Sequence, residues 1–124
     1  MALKEYLGAI VMELDGQEIE IESLDVTHKT GRKLVKTMNK TGRPAGFARG
    51  VEEIDLKINA VIPLEGDIDW AAIEGAKIVI YPVAEGGQRE VFYDCFTADV
   101  GQKYKTDGEA MQDLTMHAIR RAFE

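Results

Sequence analysis

The sequence predicts a mainly β fold, a small antiparallel barrel or sandwich with one short flanking α-helix and a long early loop. Three observations support this prediction. Apolar and polar residues alternate along several segments, as they do in half-buried strands. Turn dipeptides such as Asp15-Gly16 separate these segments. The 124 residues suffice for one domain, residues 1–124, with its own hydrophobic core.

The first two strands are predicted on either side of Asp15-Gly16, because both residues of a two-residue hairpin turn must tolerate a positive φ. The apolar residues after this turn lie first at odd and then at even positions. They are Ile19, Ile21, Leu24 and Val26. A β-bulge near Ser23 would return all four to one face of the sheet.

The clearest strand is predicted in residues 51–63, where apolar residues occupy every second position from Ile54 to Ile62. Residues 77–83 and 89–100 predict two more strands, joined by a turn at residues 85–88. In all, we expect six to eight antiparallel strands.

Two segments are less regular. Residues 67–77 break the period of two, which predicts a short helix capped by Asp67 or Asp69 and closed by Gly75. Residues 110–124 fit either a strand or a helix, and the turn signal before them favours a strand.

Charge is distributed unevenly along the chain. The formal net charge is −7, yet seven Lys and Arg residues and no acid lie between Asp25 and Glu52. The remaining eight basic and 22 acidic residues leave the rest of the chain strongly negative. A generally acidic surface disfavours broad nucleic-acid binding. The asymmetry suggests that the basic segment meets an acidic surface, for which a second copy of the chain is one candidate.

The centre of the basic segment, residues 37–49, is predicted to be a long loop without structure of its own, and such loops are usually functional or disordered. A phosphate-binding loop is excluded because no Gly-Lys-Ser/Thr is present and a strand, not a helix, follows. Nucleic-acid binding stays open as an alternative, although Phe47 is the one aromatic residue there to stack on a base.

Contact with another subunit is the favoured role for this loop, because small residues let the backbone lie close to a partner while Arg and Phe anchor it. The predicted contact residues are Lys36, Lys40, Gly42, Arg43, Pro44, Gly46, Phe47 and Arg49. We expect the loop to be poorly ordered until its partner is bound.

No catalytic or metal-binding constellation is recognisable, so the chain is predicted not to be an enzyme and to need no cofactor. His117 is expected to be a solvated or interface residue, and Cys95 a buried structural thiol. The sequence has neither an apolar run long enough to span a membrane nor a clear signal peptide. We therefore expect no membrane partner.

The order of elements resembles that of bacteriophage tail tube proteins. The resemblance lies in the hairpin "ELDGQEIE", the strand and long loop "ESLDVTHKTGRKLVKTMNKTGRPAGFARG", and the strand "VEEIDLKINAVIP". The short predicted helix and the later strands follow the same order, so the similarity covers nearly the whole chain.

This resemblance implies hexameric rings that extend a sheet across subunits around a lumen and stack into a tube through which DNA passes. The type VI secretion tube protein shares the fold. The loop at residues 37–49 and the N-terminal arm at residues 1–8 would make contacts between rings. Further partners would be sheath, baseplate or tail-terminator proteins, and the location would be the virion tail, after synthesis in the bacterial host cytoplasm.

Three alternatives remain at this point: another tail part, such as a terminator or baseplate adaptor; a secretion-system tube homologue; and a monomeric nucleic-acid-binding β-barrel.

Two rows of carboxylates are candidates for a negative lumen wall, which would keep DNA from adhering as it slides. They are Glu18, Glu20, Glu22, Glu53 and Asp55. Lys57 interrupts the second row, and ordinary solvated strand faces would look the same in sequence.

Overall fold

Ten β-strands, all paired antiparallel, make up more than half of the residues that the structure describes. The computed structural model describes residues 3–83 and 87–124. The strands are β1 (Ile10–Leu14), β2 (Gln17–Ile19), β3 (Ile21–Lys29), β4 (Lys33–Val35), β5 (Gly46–Ala48), β6 (Glu53–Val61), β7 (Glu74–Pro82), β8 (Glu90–Lys103), β9 (Met111–Ala118) and β10 (Arg120–Phe123). None of the described segments forms a helix long and apolar enough to cross a membrane.

Eight of these strands form one curled sheet, in the order β2-β1-β7-β8-β9-β6-β3, with β10 also paired to β8. Strands β2 and β3 are separated only by Glu20, so one continuous segment supplies both ends of this order. The sheet therefore curls towards itself as a half-barrel, and β4 and β5 form a separate two-stranded sheet.

The core lies on the concave face of the curled sheet. Alternate residues of each strand point into it, as the period of two requires. The largest fully buried side chains are Phe92, Met12, Leu56, Ile58, Ile78, Leu114, Met116, Val91 and Cys95. Burial raises the pKa of the Cys95 thiol to about 12, which confirms the expected structural thiol.

The first hairpin and the bulge are confirmed. Asp15 and Gly16 have φ values of 50° and 86°, and Leu14 pairs with Gln17 across the turn. The register of β3 against β6 shifts between Ile21 and Ser23. This shift lets the apolar residues on both sides of it pack against the same core.

The later strands are also confirmed. Strands β6, β7 and β8 overlap the predicted segments with end points that differ by a few residues, and the C-terminal stretch forms β9 and β10 rather than a helix. Residues 3–83 and 87–124 contain ten strands, more than the six to eight expected, because two short strands lie in the basic segment and the C-terminal stretch divides at Ile119. Of the predicted turn at 85–88, residues 85 and 86 lie outside the described residues.

The predicted short α-helix is wrong. Only one 3₁₀ turn, Trp70–Ala72, forms in this segment, and the side chain of Asp69 makes no capping hydrogen bond to it. Trp70 is 3% exposed, so burial of its ring holds the chain against the core while β7 begins two residues after the turn. Gly75, with φ of 77°, lies at a register shift within β7 instead of closing a helix.

Candidate assembly surfaces

The basic segment forms a hairpin that projects from the main sheet. Strands β4 and β5 pair antiparallel, with Leu34 opposite Phe47, and nearly every residue from 30 to 52 is exposed. We call residues 30–52 the basic hairpin. The prediction of a long unstructured loop at 37–49 is thus wrong for its second half, which contains β5.

The side chain of Asn39 organises the tip of the basic hairpin. Its Oδ1 accepts hydrogen bonds from the backbone N–H groups of Thr41 and Gly42, both at 3.1 Å. Its Nδ2 donates to the carbonyl oxygen of Arg43 at 2.9 Å. One side chain therefore replaces several main-chain contacts in the connection between the two strands, as is typical of Asn in turns.

The base of the basic hairpin is closed by two glycines in backbone contact. The N–H of Gly50 donates to the carbonyl oxygen of Gly31 at 2.8 Å. A Cβ atom on Gly31 would lie 2.5 Å from the carbonyl oxygen of Val51, and the φ of Gly31 is already +79°. Only a residue without a side chain fits this crossing without moving the backbone.

Replacing Gly31 by Ala should loosen the base of the hairpin by about 1–3 kcal/mol, because the new methyl group meets backbone at a strained φ. Tryptic cleavage at the hairpin lysines measures this opening and should become at least about five-fold faster. Gly46→Ala is the matched control, since nothing lies within 4 Å of its Cβ position. Equal cleavage rates in the two variants would contradict the prediction.

All eight predicted contact residues lie on the basic hairpin and are exposed. The guanidinium of Arg49 lies 5.5 Å from the ring centroid of Phe47, close enough for a cation–π contact. Sequence reasoning missed the apolar side chains among the cations, of which Leu34 is 62% and Met38 fully exposed. The sequence signal that could have identified them is the presence of apolar residues, Leu34 and Met38, in an otherwise polar segment.

The predicted N-terminal arm is also exposed over its described part, residues 3–8, and has no regular secondary structure. Leu3, Tyr6 and Leu7 are its exposed large apolar side chains. Residues 1 and 2 lie outside the described part. A role in contacts between subunits stays a prediction for this segment.

Strands β3, β6 and β9 and the outer half of β8 form a four-stranded sheet with two open edges. Among the described residues, β3 pairs with β6 alone. Residues Asp99–Lys103 of β8 likewise pair with β9 alone. Their outer edges present unpaired N–H and C=O groups, which are templates for pairing with another chain.

The convex face of this four-stranded sheet is polar and of mixed charge. The register places Asp25, Lys57, Thr115 and Asp99 in one row across the four strands. A parallel row contains Thr27, Asp55 and His117. Sequence reasoning missed Asp25, Asp99 and the nearby Asp113 on this face, because strand register was needed to bring them together.

The carboxylate of Asp55 is compensated by its neighbours. His117 Nδ1 and Asp55 Oδ1 are 2.6 Å apart, and the Lys29 ammonium lies 3.4 Å from the other oxygen. Burial alone would raise the pKa of Asp55, but the hydrogen bonds with His117 and Lys29 outweigh burial and lower it. The predicted second acidic row is therefore only partly negative.

The two predicted rows of lumen acids lie in different parts of the sheet. Glu53 and Asp55 share the convex face of β6, where Lys29 contacts both. Glu18 lies on β2, Glu20 joins β2 to β3, and Glu22 is the extra residue at the bulge. All except Asp55 are exposed.

No protein-family model matches the sequence, and a search of curated proteins found no match either. Solved structures do match. A sheath/tube terminator of an extracellular contractile injection system, PVC, has a TM-score of 0.73 at 13% identity, over 99% of both chains. The tube-terminating cap of the anti-feeding prophage has a TM-score of 0.71 at 14% identity, over 100% of this chain and 94% of the other.

The SPP1 tail tube protein is similar as well, with a TM-score of 0.70 at 11% identity over 93% of this chain and 76% of its own. Identities this low establish a common architecture of the backbone. The chain therefore has the fold shared by these tail tube and tube-terminator proteins.

Proposed function

We propose that this chain is a structural subunit of a phage-type tail tube, and that its copies join edge to edge into rings that stack around a channel for DNA. The observation that carries the proposal is the four-stranded sheet with two open edges, β3 and the outer half of β8. The comparisons support the proposal because this chain has the fold of tube and tube-terminator proteins.

Ring closure needs two different edges that fit each other, because each subunit must offer one edge to the left and another to the right. Adjacent strands in the order β8-β9-β6-β3 are antiparallel, so β3 and β8 run in opposite directions. The β3 edge of one subunit therefore meets the β8 edge of the next in antiparallel register. We propose six subunits per ring, the number that the resemblance to tail tube proteins implies.

The convex face of this sheet lines the channel in the proposed ring. Five acids and three lysines lie on it: Asp25, Glu53, Asp55, Asp99, Asp113, Lys29, Lys57 and Lys103. A wall with a slight excess of negative charge gives DNA no continuous basic track to adhere to. The assembled protein belongs to the virion tail in this proposal, with sheath, baseplate or terminator proteins as further partners.

Size-exclusion chromatography combined with negative-stain electron microscopy of the purified protein tests the proposal. Rings or tubes with a central channel are expected. A strict monomer at high concentration, with no assembly on any initiator, would overturn the proposal. DNA affinity that falls steeply with salt would instead support the monomeric nucleic-acid-binding alternative.

Proline substitutions on β8 should separate ring formation from folding. Adjacent N–H groups of a strand point to opposite edges. Of Val100→Pro and Gly101→Pro, one therefore removes an internal donor that bonds to β9, and the other removes an external donor at the open edge. The variant that lacks the external donor should keep its melting temperature within a few degrees of the wild type. Its rings should nevertheless require a protein concentration at least about ten-fold higher. The variant that lacks the internal donor, and so loses a backbone hydrogen bond to β9, serves as the control. Rings in both folded variants would argue against pairing at this edge.

A tube terminator is the second candidate function, because the two terminator and cap proteins match this chain over 94–99% of their own length, whereas 76% of the SPP1 tail tube protein is covered. A tube subunit is expected to add rings without limit. A terminator is expected to stop at single rings that bind the ends of a preformed tube.

A further inference from the structure

We infer that the basic hairpin of one subunit docks into an acidic cavity at the opposite end of a subunit in the neighbouring ring. This inference rests on the proposed stacking of rings. It identifies the receptor for the hairpin on this same chain and the chemistry that recognises it.

The receptor is a cavity of about 240 Å³ near the junction of β2 and β3. We call it the acidic cavity. Its apolar lining includes Ile19, Ala60, Val61, Pro63, Ile68 and Trp70. Its carboxylates are Glu18, Glu20, Glu65 and Asp67, and none of the described residues that line it is Lys or Arg.

Strand β6 places the hairpin and the cavity at opposite ends of the subunit. The basic hairpin leads directly into the first residue of β6, Glu53, while Ala60 and Val61 at its other end line the cavity. Nine residues of extended strand span roughly 26 Å. A stack of rings in one orientation therefore brings the hairpin of one ring against the cavity of the next.

The charges of the two surfaces are complementary. The basic hairpin carries Arg32, Lys33, Lys36, Lys40, Arg43 and Arg49, and its one acid, Glu52, lies at its end next to β6. Each of these basic side chains is exposed, and none forms a salt bridge among the described residues. The four carboxylates of the cavity supply the opposite charge at the interface and fix the direction of stacking.

The apolar parts also correspond. Met38 is fully exposed at the outer part of the hairpin, between Lys36 and Lys40. A flexible, unbranched side chain suits an irregular apolar floor such as that formed by Ile19, Pro63 and Ile68. Met38 thus enters the cavity while the lysines on either side of it reach the carboxylates of the rim.

Reciprocal charge reversal tests this docking in the full-length protein. K40E/R43E and E20K/E65K should each raise the concentration needed for stacking by roughly ten-fold or more, whereas both pairs combined should restore it to within about three-fold of the wild type. Isolated rings should persist in all three variants. Stacking is measured by sedimentation and negative-stain electron microscopy.

The control is E74K/E124K, which changes the net charge by as much as E20K/E65K at exposed positions outside the cavity and outside the β8–β9 turn beside it. It should stack within about three-fold of the wild type at moderate salt. Normal stacking of either reversed pair, or failure of the combined variant to recover, would overturn the docking inference. If the wild-type protein forms no rings, the proposed function itself fails, and that outcome is visible before any variant is made.

Discussion

Replacing residues 32–49 by Asn-Gly is expected to abolish the stacking of rings and to leave the subunit folded. The reason lies at the base of the basic hairpin, where Gly31 and Gly50 are already joined by a backbone hydrogen bond of 2.8 Å. A two-residue Asn-Gly turn is able to bridge such a pair, so β3 and β6 of the main sheet stay connected in their native pairing. The excised residues contribute no side chain to the buried core.

The expected readout is single rings by negative-stain electron microscopy, with a cooperative melt near that of the wild type. Glu74→Ala, an exposed substitution on β7 outside the hairpin, serves as the control and should stack normally. Tubes of ordinary length from the excised variant would show that the hairpin has no part in stacking. Loss of the rings themselves would place the hairpin within the ring interface instead.

Phe92→Ala is expected to lower the free energy of unfolding by about 3–5 kcal/mol, the range for truncating a fully buried aromatic side chain. Phe92 is 0% exposed and lies on β8 where β7 and β10 pair with it from opposite sides. The Arg121 guanidinium also lies 5.6 Å from its ring centroid. A total stability of about 5–15 kcal/mol leaves little margin for such a loss.

Urea unfolding followed by circular dichroism measures this change. Phe47→Ala is the matched control, because Phe47 is 59% exposed and its truncation should cost less than about 1 kcal/mol. A loss below about 1 kcal/mol for Phe92→Ala would mean that the core collapses around the missing ring or that the strand pairing differs.

Local signals in the sequence were sufficient for much of the strand pattern. Asp15-Gly16 predicted its turn because few other residue pairs accept two positive φ values. The phase change between Ile21 and Leu24 predicted the bulge because a single extra residue is the simplest way to keep both on one face.

Features that depend on distant parts of the chain could not be predicted in this way. The contact of Asp55 with His117 joins residues 62 positions apart, and only the pairing of β6 with β9 brings them together. The short helix failed because capping signals near Asp69 competed with the burial of Trp70 against the core. The open edges of β3 and β8 likewise follow from the strand order.

The pairing of β1 with β7 has a consequence for how the chain is made. Ile10 pairs with Pro82, so the first strand leaves the ribosome well before its partner exists. At about 5–20 residues per second, the interval is roughly 4–14 seconds. During this time β1 and β2 have no sheet to join, and an isolated two-stranded hairpin is at most marginally stable in water. Slowing translation should lengthen the exposure of that hairpin and increase the fraction of newly made chains that aggregate or are degraded.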